Sequence, residues 1–144
     1  MLCKGEVAYE NECDYYIWCG RKKILMCLRS KNPYKGLYNL VGGKIDEGEE
    51  GIIGAYRELE EETGITISDI VLSHLMDFEY HMSGVELQVY AGKLNKKMEL
   101  IEEVNKLFWV SIDEDFFDMT KYAGEGNIGH MVEQVRIYRE ALLK

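Results

Sequence analysis

Glu58, Glu61 and Glu62 are the residues of this chain best placed to do chemistry. At about 100° per residue along a helix, the three carboxylates share one arc about 100° wide. Such an arc is unfavourable by itself, because like charges at i,i+4 cost about 0.2–0.5 kcal/mol per pair. A cation held among them would turn that cost into binding. Oxygen-only donors suit a hard divalent ion, Mg²⁺ or Mn²⁺, rather than zinc. Next to a phosphate, such an ion draws charge from the oxygens and orients a water. The competing reading is a solvated acidic helix face, the ordinary meaning of a charge run.

The elements that must position these groups are legible nearby. Ile52, Ala55, Tyr56, Leu59 and Thr63 form one mainly apolar stripe, so the spacing predicts a helix over 51–63. Asp46, Glu47, Glu49 and Glu50 stand at or before its start, where negative charge is favoured. Gly64 fits a left-handed stop. Gly42 and Gly43 are expected to open a turn before the helix, with backbone angles other residues avoid.

This stretch resembles the Nudix signature, G-x5-E-x7-R-E-U-x-E-E-x-G-U with U aliphatic. Gly43, Glu49, Arg57, Glu58, Leu59, Glu61, Glu62, Gly64 and Ile65 occupy its fixed positions. In strict form the resemblance covers residues 43–65. It implies an α/β/α sandwich with a mixed β-sheet between helices. It also implies metal-dependent hydrolysis of a nucleoside diphosphate linked to a group X. By resemblance, Glu58, Glu61 and Glu62 bind metal and act in catalysis, and Glu58 holds the place of a general base. Gly43 adds a carbonyl ligand, with Gly42 as the alternative. Glu103, slightly favoured over Glu102, completes the metal set. Arg57 and Glu49 match a pair that braces the loop against the helix, a structural role. The substrate side is assigned to Arg29, Asn39, Gly42, Gly43 and Asn127. Short members similar to MutT hydrolyse nucleoside triphosphates, 8-oxo-dGTP among them, to monophosphate and pyrophosphate. ADP-ribose and dinucleoside polyphosphates are the alternative substrates. The family often carries a proline where Val41 stands, a departure that bears on loop stiffness more than on chemistry.

Elsewhere, residues 5–9, 14–19, 23–29, 38–41, 66–81, 85–94 and 107–110 read as strands. Gly20-Arg21-Lys22 and Met82-Ser83-Gly84 read as hairpin turns. His74 and His81 fall in one of these strands as ordinary strand residues. Ser111 is placed to cap a short helical turn over 113–117. Ile128, Met131, Val135, Tyr138 and Leu142 predict an amphipathic helix over 127–143. Asn127 stands where its N-cap belongs, and the same amide could read a purine edge. Tyr38, Phe78, Tyr80 and Trp109 could stack on a base, although core packing explains each as well. Arg29, Lys31 and Lys35 make a small basic island suited to phosphate or to solubility.

The 144 residues read as one domain, with no internal repeat or linker. A net charge of −9 disfavours long nucleic acid, including the 5′ end of an RNA, but not a polyanionic small molecule met through metal. No apolar run is long enough to span a membrane. No signal peptide is visible, so the cytoplasm is expected. Cys3, Cys13, Cys19 and Cys27 lack zinc spacing and read as reduced thiols. P-loop and Rossmann motifs are absent. A silent nucleotide-binding module is the remaining alternative, disfavoured because the carboxylate set is intact.

Overall fold

The structure is a computed structural model that describes residues 23–143 and, through their backbone, residues 10–19. Among the described residues the order is β1 (Glu10–Cys19), β2 (Lys23–Leu28), β3 (Tyr38–Lys44), α1 (Gly51–Thr63), β4 (Ser73–Tyr80), β5 (Val85–Leu94), β6 (Lys106–Ser111) and α2 (Asn127–Leu142). The strands form one mixed sheet in the order β4-β5-β1-β3-β2-β6. β1 runs parallel to β5, and the other pairs are antiparallel.

Each face of the sheet is covered by one helix. Strand alternation sends Leu25, Val41 and Tyr90 to one side, where they meet Ala55 and Leu59 of α1. Ile24, Met26, Leu40 and Val89 go to the other side, against Ile128, Met131 and Val135 of α2. This is the expected α/β/α sandwich. Burial of Leu59, which is fully enclosed, contributes about 1.5–3 kcal/mol toward holding α1 on the sheet. No helix among the described residues is long and apolar enough to cross a membrane.

α1 has its predicted bounds, and Gly64 ends it at φ 81° with its N–H donated to the Glu60 carbonyl. Other elements differ from expectation. Residues 66–72 are not strand, because Asp69 folds them into a turn. Its Oδ2 accepts from the Thr66 N–H at 2.9 Å and from the Thr66 hydroxyl at 3.0 Å. His81 lies in the turn after β4, not in the strand. β3 runs on through Gly42 and Gly43 to Lys44, and neither glycine has a left-handed backbone. Residues 113–117 form turns rather than a helix, although the Ser111 hydroxyl does accept from the Asp113 N–H at 3.2 Å. α2 is kinked at Tyr138, φ −106° and ψ 16°, which turns this expected core residue out to solvent. The strand expected at 5–9 and the turn at 20–22 lie outside the described residues. Of the cysteines, Cys27 is buried, and its thiol donates to the Leu40 carbonyl at 3.8 Å.

Candidate active site

Gly43 and Glu58 meet where β3 leaves the sheet and α1 returns across it. A Cβ on Gly43 would overlap the Glu58 carboxylate. The glycine is thus needed for close approach, not for an unusual backbone angle. A second approach of this kind fixes the helix start. Gly51 lies against the Gln88 side-chain oxygen on β5, with no room for a Cβ, and the Tyr90 hydroxyl donates to that same oxygen at 2.8 Å.

Arg57 pins the loop between β3 and α1. Its Nε and Nη2 donate to the two oxygens of Glu49, both at 2.9 Å, and Nη2 also donates to the Lys44 carbonyl at 2.9 Å. Glu49 Oε1 accepts in addition from the Asp46 N–H at 3.1 Å. Hydrogen bonds from Arg57 hold the Glu49 carboxyl down at about 2. The guanidinium does more than brace. Nη1 donates to Glu58 Oε1 at 2.7 Å and reaches Glu61 at 3.4 Å, so the bracing residue also orients a candidate catalytic one.

Glu62, one position beyond Glu61 on α1, is half-buried. Its carboxyl is pushed up to about 7, first by burial and then by the charges of Glu58, Glu103 and Glu61, while Arg29 opposes the shift. Glu103 and Arg29 therefore lie close enough to act on Glu62. A tie unseen in the sequence brings them there. Asn105 Oδ1 accepts from the Ser30 N–H at 3.1 Å and from the Ser30 hydroxyl at 2.9 Å, joining the loop after β2 to the loop before β6. The donor set is all oxygen and carries surplus negative charge, which fits a hard divalent cation. Among the described residues no three such side chains are grouped as metal ligands as they stand, and Arg57 engages Glu58 and Glu61.

The expected substrate residues divide into two places. Arg29 and Gly43 belong with the carboxylates, and Gly42 sits in β3 opposite Asp14. Asn39 instead lines a separate open cleft, together with Tyr34, Tyr80, Ser83, Val85, Leu87 and Gly124. Asn127 belongs to this second place through its hydrogen bond to Tyr80, Nδ2 to hydroxyl at 2.6 Å. It is not the helix cap. Gly126 holds that position at φ 86°, and no side chain caps α2. Among the stacking candidates, Tyr80 lines the cleft. Tyr38 packs on Phe108 and Tyr122, and Trp109 packs against the α1-side core.

The NUDIX domain model matches residues 15–127, most of the chain. The chain belongs to the Nudix family. Among solved structures, the Caenorhabditis elegans Ap4A hydrolase binary complex superposes with TM-score 0.73 at 18% identity, over 90% of this chain and 98% of that one. The MutT protein of Methanosarcina mazei Go1 gives 0.70 at 22% identity, over 96% and 99%. The NUDIX domain of Shewanella oneidensis NrtR, complexed with ADP ribose, gives 0.65 at 18%, over 90% and 88%. At these identities the likeness is one of fold. No curated protein matches the sequence.

Proposed function

We propose that this Nudix hydrolase cleaves a nucleoside triphosphate, oxidised purine nucleotides such as 8-oxo-dGTP included, to nucleoside monophosphate and pyrophosphate. The observation that carries this reading is geometric: Glu58 lies directly against Gly43 at the end of β3 and is held, with Glu61 and Glu49, by Arg57, and the half-buried Glu62 stands on the same arc of α1. Such crowding of carboxylates is what a bound cation would relieve. Glu58, Glu61, Glu62 and Glu103, with the Gly43 carbonyl, are the residues that would hold Mg²⁺, with Mn²⁺ able to substitute. When bound, the cation supplies Lewis acidity at the phosphate oxygens.

The chain's own groups do the rest. Arg29 binds phosphate by its planar fork. Glu58, oriented by Arg57, accepts a proton from the attacking water. The water oxygen bonds to one phosphorus, the bridging P–O bond breaks, and its electron pair leaves with pyrophosphate. The cleft beside Asn39 and Tyr80 takes the base. A small nucleotide is thus the partner, and the cytoplasm, where the buried Cys27 thiol stays reduced, is the proposed compartment.

ADP-ribose and dinucleoside polyphosphates call for the same bond cleavage, and the fold likeness to an Ap4A hydrolase supports testing them beside the triphosphates. The experiment is a kcat/KM panel with Mg²⁺ over canonical and 8-oxo dNTPs, ADP-ribose and Ap4A. Pyrophosphate release from a triphosphate as the best reaction supports the proposal. Preference for ADP-ribose or Ap4A replaces it, and nucleotide binding without turnover sinks it.

A further inference from the structure

Tyr34 and Glu125 are the two non-glycine residues with a left-handed backbone among the described residues, at φ 66° and φ 53°. They are 91 positions apart, yet they hold each other. The Tyr34 hydroxyl donates to Glu125 Oε1 at 2.6 Å. A residue with a Cβ adopts this conformation at a cost, and for a bulky aromatic it is a true outlier. Such strain persists only where the surroundings enforce it, and it gathers at ligand clamps and switch regions.

The turn before α2 sharpens the point. Gly124, Glu125 and Gly126 are all left-handed, with φ of 84°, 53° and 86°. Glycine at both flanks meets the backbone requirement, and a Cβ at Gly124 would meet only ordinary contacts with Ile128 and Asn127. A glycine at 125 would meet it too. A glutamate stands there instead, and its carboxylate takes the tyrosine.

The two partners come from two different loops that both reach the cleft. Tyr34 belongs to the loop between β2 and β3, which closes on itself through Gly36 N–H to the Arg29 carbonyl at 2.9 Å. Glu125 follows a segment clipped to β3 by Tyr38 N–H to the Lys121 carbonyl and Ala123 N–H to the Tyr38 carbonyl, both at 2.9 Å. Tyr34 and Gly124 line the cleft together with Tyr80, Val85 and Leu87. All the lining residues are uncharged, and two are aromatic. That lining suits a flat, uncharged heterocycle and not a phosphate.

We propose that the Tyr34–Glu125 clasp is a specificity-determining element. It fixes the width of the cleft and thereby selects which nucleobase is accepted. The proposal rests on the reading above that the substrate is a nucleotide. Tyr34 is a positioning residue in this account, acting through the shape of the cleft wall.

The test uses Tyr34→Phe and Glu125→Ala, which break the clasp, their double variant, and Glu125→Gln, which keeps an acceptor. kcat and KM are measured with Mg²⁺ for the four dNTPs and for inorganic tripolyphosphate, which has no base. Loss of one hydrogen bond should raise KM for the preferred dNTP about tenfold in each breaking variant, with kcat and the tripolyphosphate KM unchanged. The double variant should lose no more than either single one, and Glu125→Gln should retain most of the selectivity. Unchanged dNTP ratios would overturn the proposal. So would a uniform loss that includes tripolyphosphate, the mark of a merely structural clasp. If the wild type hydrolyses none of these compounds, the hydrolase reading fails separately. The clasp is then read from thermal shifts with the four nucleoside monophosphates. Selectivity in the wild type that is levelled in Tyr34→Phe supports it, and equal patterns overturn it.

Discussion

Asn127 and Tyr80 are joined by a hydrogen bond of 2.6 Å from the amide nitrogen to the phenol oxygen. The bond ties the first residue of α2 to the last residue of β4, at the wall of the cleft. Because Gly126 occupies the cap position, the amide is bonded to Tyr80 and does not cap the helix end.

Replacing Asn127 with Ala should therefore cost little stability, about 0.5–1.5 kcal/mol for one hydrogen bond. The effect on base choice should be larger. kcat/KM for purine triphosphates is expected to fall about tenfold, 1.4 kcal/mol at the transition state, while pyrimidines are spared. Tyr80→Phe should move the same ratio. Equal losses on purines and pyrimidines would show that the pair only braces α2 against β4.

The acidic cluster makes a paired prediction for metal and stability. Melting temperature should rise with Mg²⁺ or Mn²⁺ concentration in the wild type, since the ion binds the folded state alone. Glu62→Gln removes the crowded carboxylate, so the metal-free variant should melt at or above the wild type, and the metal-dependent rise should shrink. Glu58→Gln should lower kcat by several orders of magnitude and leave nucleotide binding largely intact. Glu61→Gln should weaken metal affinity, with rescue at high metal. Near-wild-type turnover by Glu58→Gln and Glu62→Gln at limiting metal would reduce the arc to a solvated face.

Gly43→Ala separates positioning from folding. The new methyl group would meet the Glu58 carboxylate, the far end of a flexible side chain. Glu58 can swing away, so the melting temperature should change by only a few degrees, equivalent to about 1 kcal/mol or less. The displaced carboxylate should lower kcat at least about tenfold, a loss of roughly 1.4 kcal/mol. Wild-type kcat in a folded Gly43→Ala protein would detach Glu58 from catalysis.

Asp69 supplies a pH dependence away from the site. Its carboxyl is held down at about 2, first by the Lys96 ammonium and then by Thr66. A depressed carboxylate stabilises the fold above its ordinary value near 3.8, and that contribution is lost as pH falls toward 2. Asp69→Asn should thus be less stable than the wild type in urea at pH 7, and the gap should close between about pH 4 and pH 2. A gap that persists unchanged at pH 2 would show that the charge does not contribute.

Local patterns were the most legible part of this chain. The 3.6-residue stripe of Ile52, Ala55, Tyr56, Leu59 and Thr63 set α1 to the residue, and Gly64 ended it. Short β-branched and aromatic runs located β2, β5 and β6 to within a residue or two. The expectation for 66–72 failed because a side-chain turn at Asp69 competes with strand pairing, and composition carries no sign of which prevails. Gly43 was legible as necessary, but for the wrong reason. Backbone freedom and close approach both demand a missing Cβ, and only the neighbour at Glu58 tells them apart.

What the sequence determined by itself was the chemistry on offer. Glu58, Glu61 and Glu62 must share an arc once a helix forms. Helical geometry enforces that relation, whatever the rest of the chain does. Tertiary structure alone decided which distant groups join them. Glu103 and Arg29 act on Glu62 because Asn105 ties two loops 75 positions apart. Asn127 meets Tyr80, and Glu125 meets Tyr34, because the sheet order and the packing of α2 close separations of 47 and 91 positions. A hydrogen bond of that span leaves no periodicity in the sequence. Its partners are brought together by burial of the core, which is non-directional and does not specify them in advance.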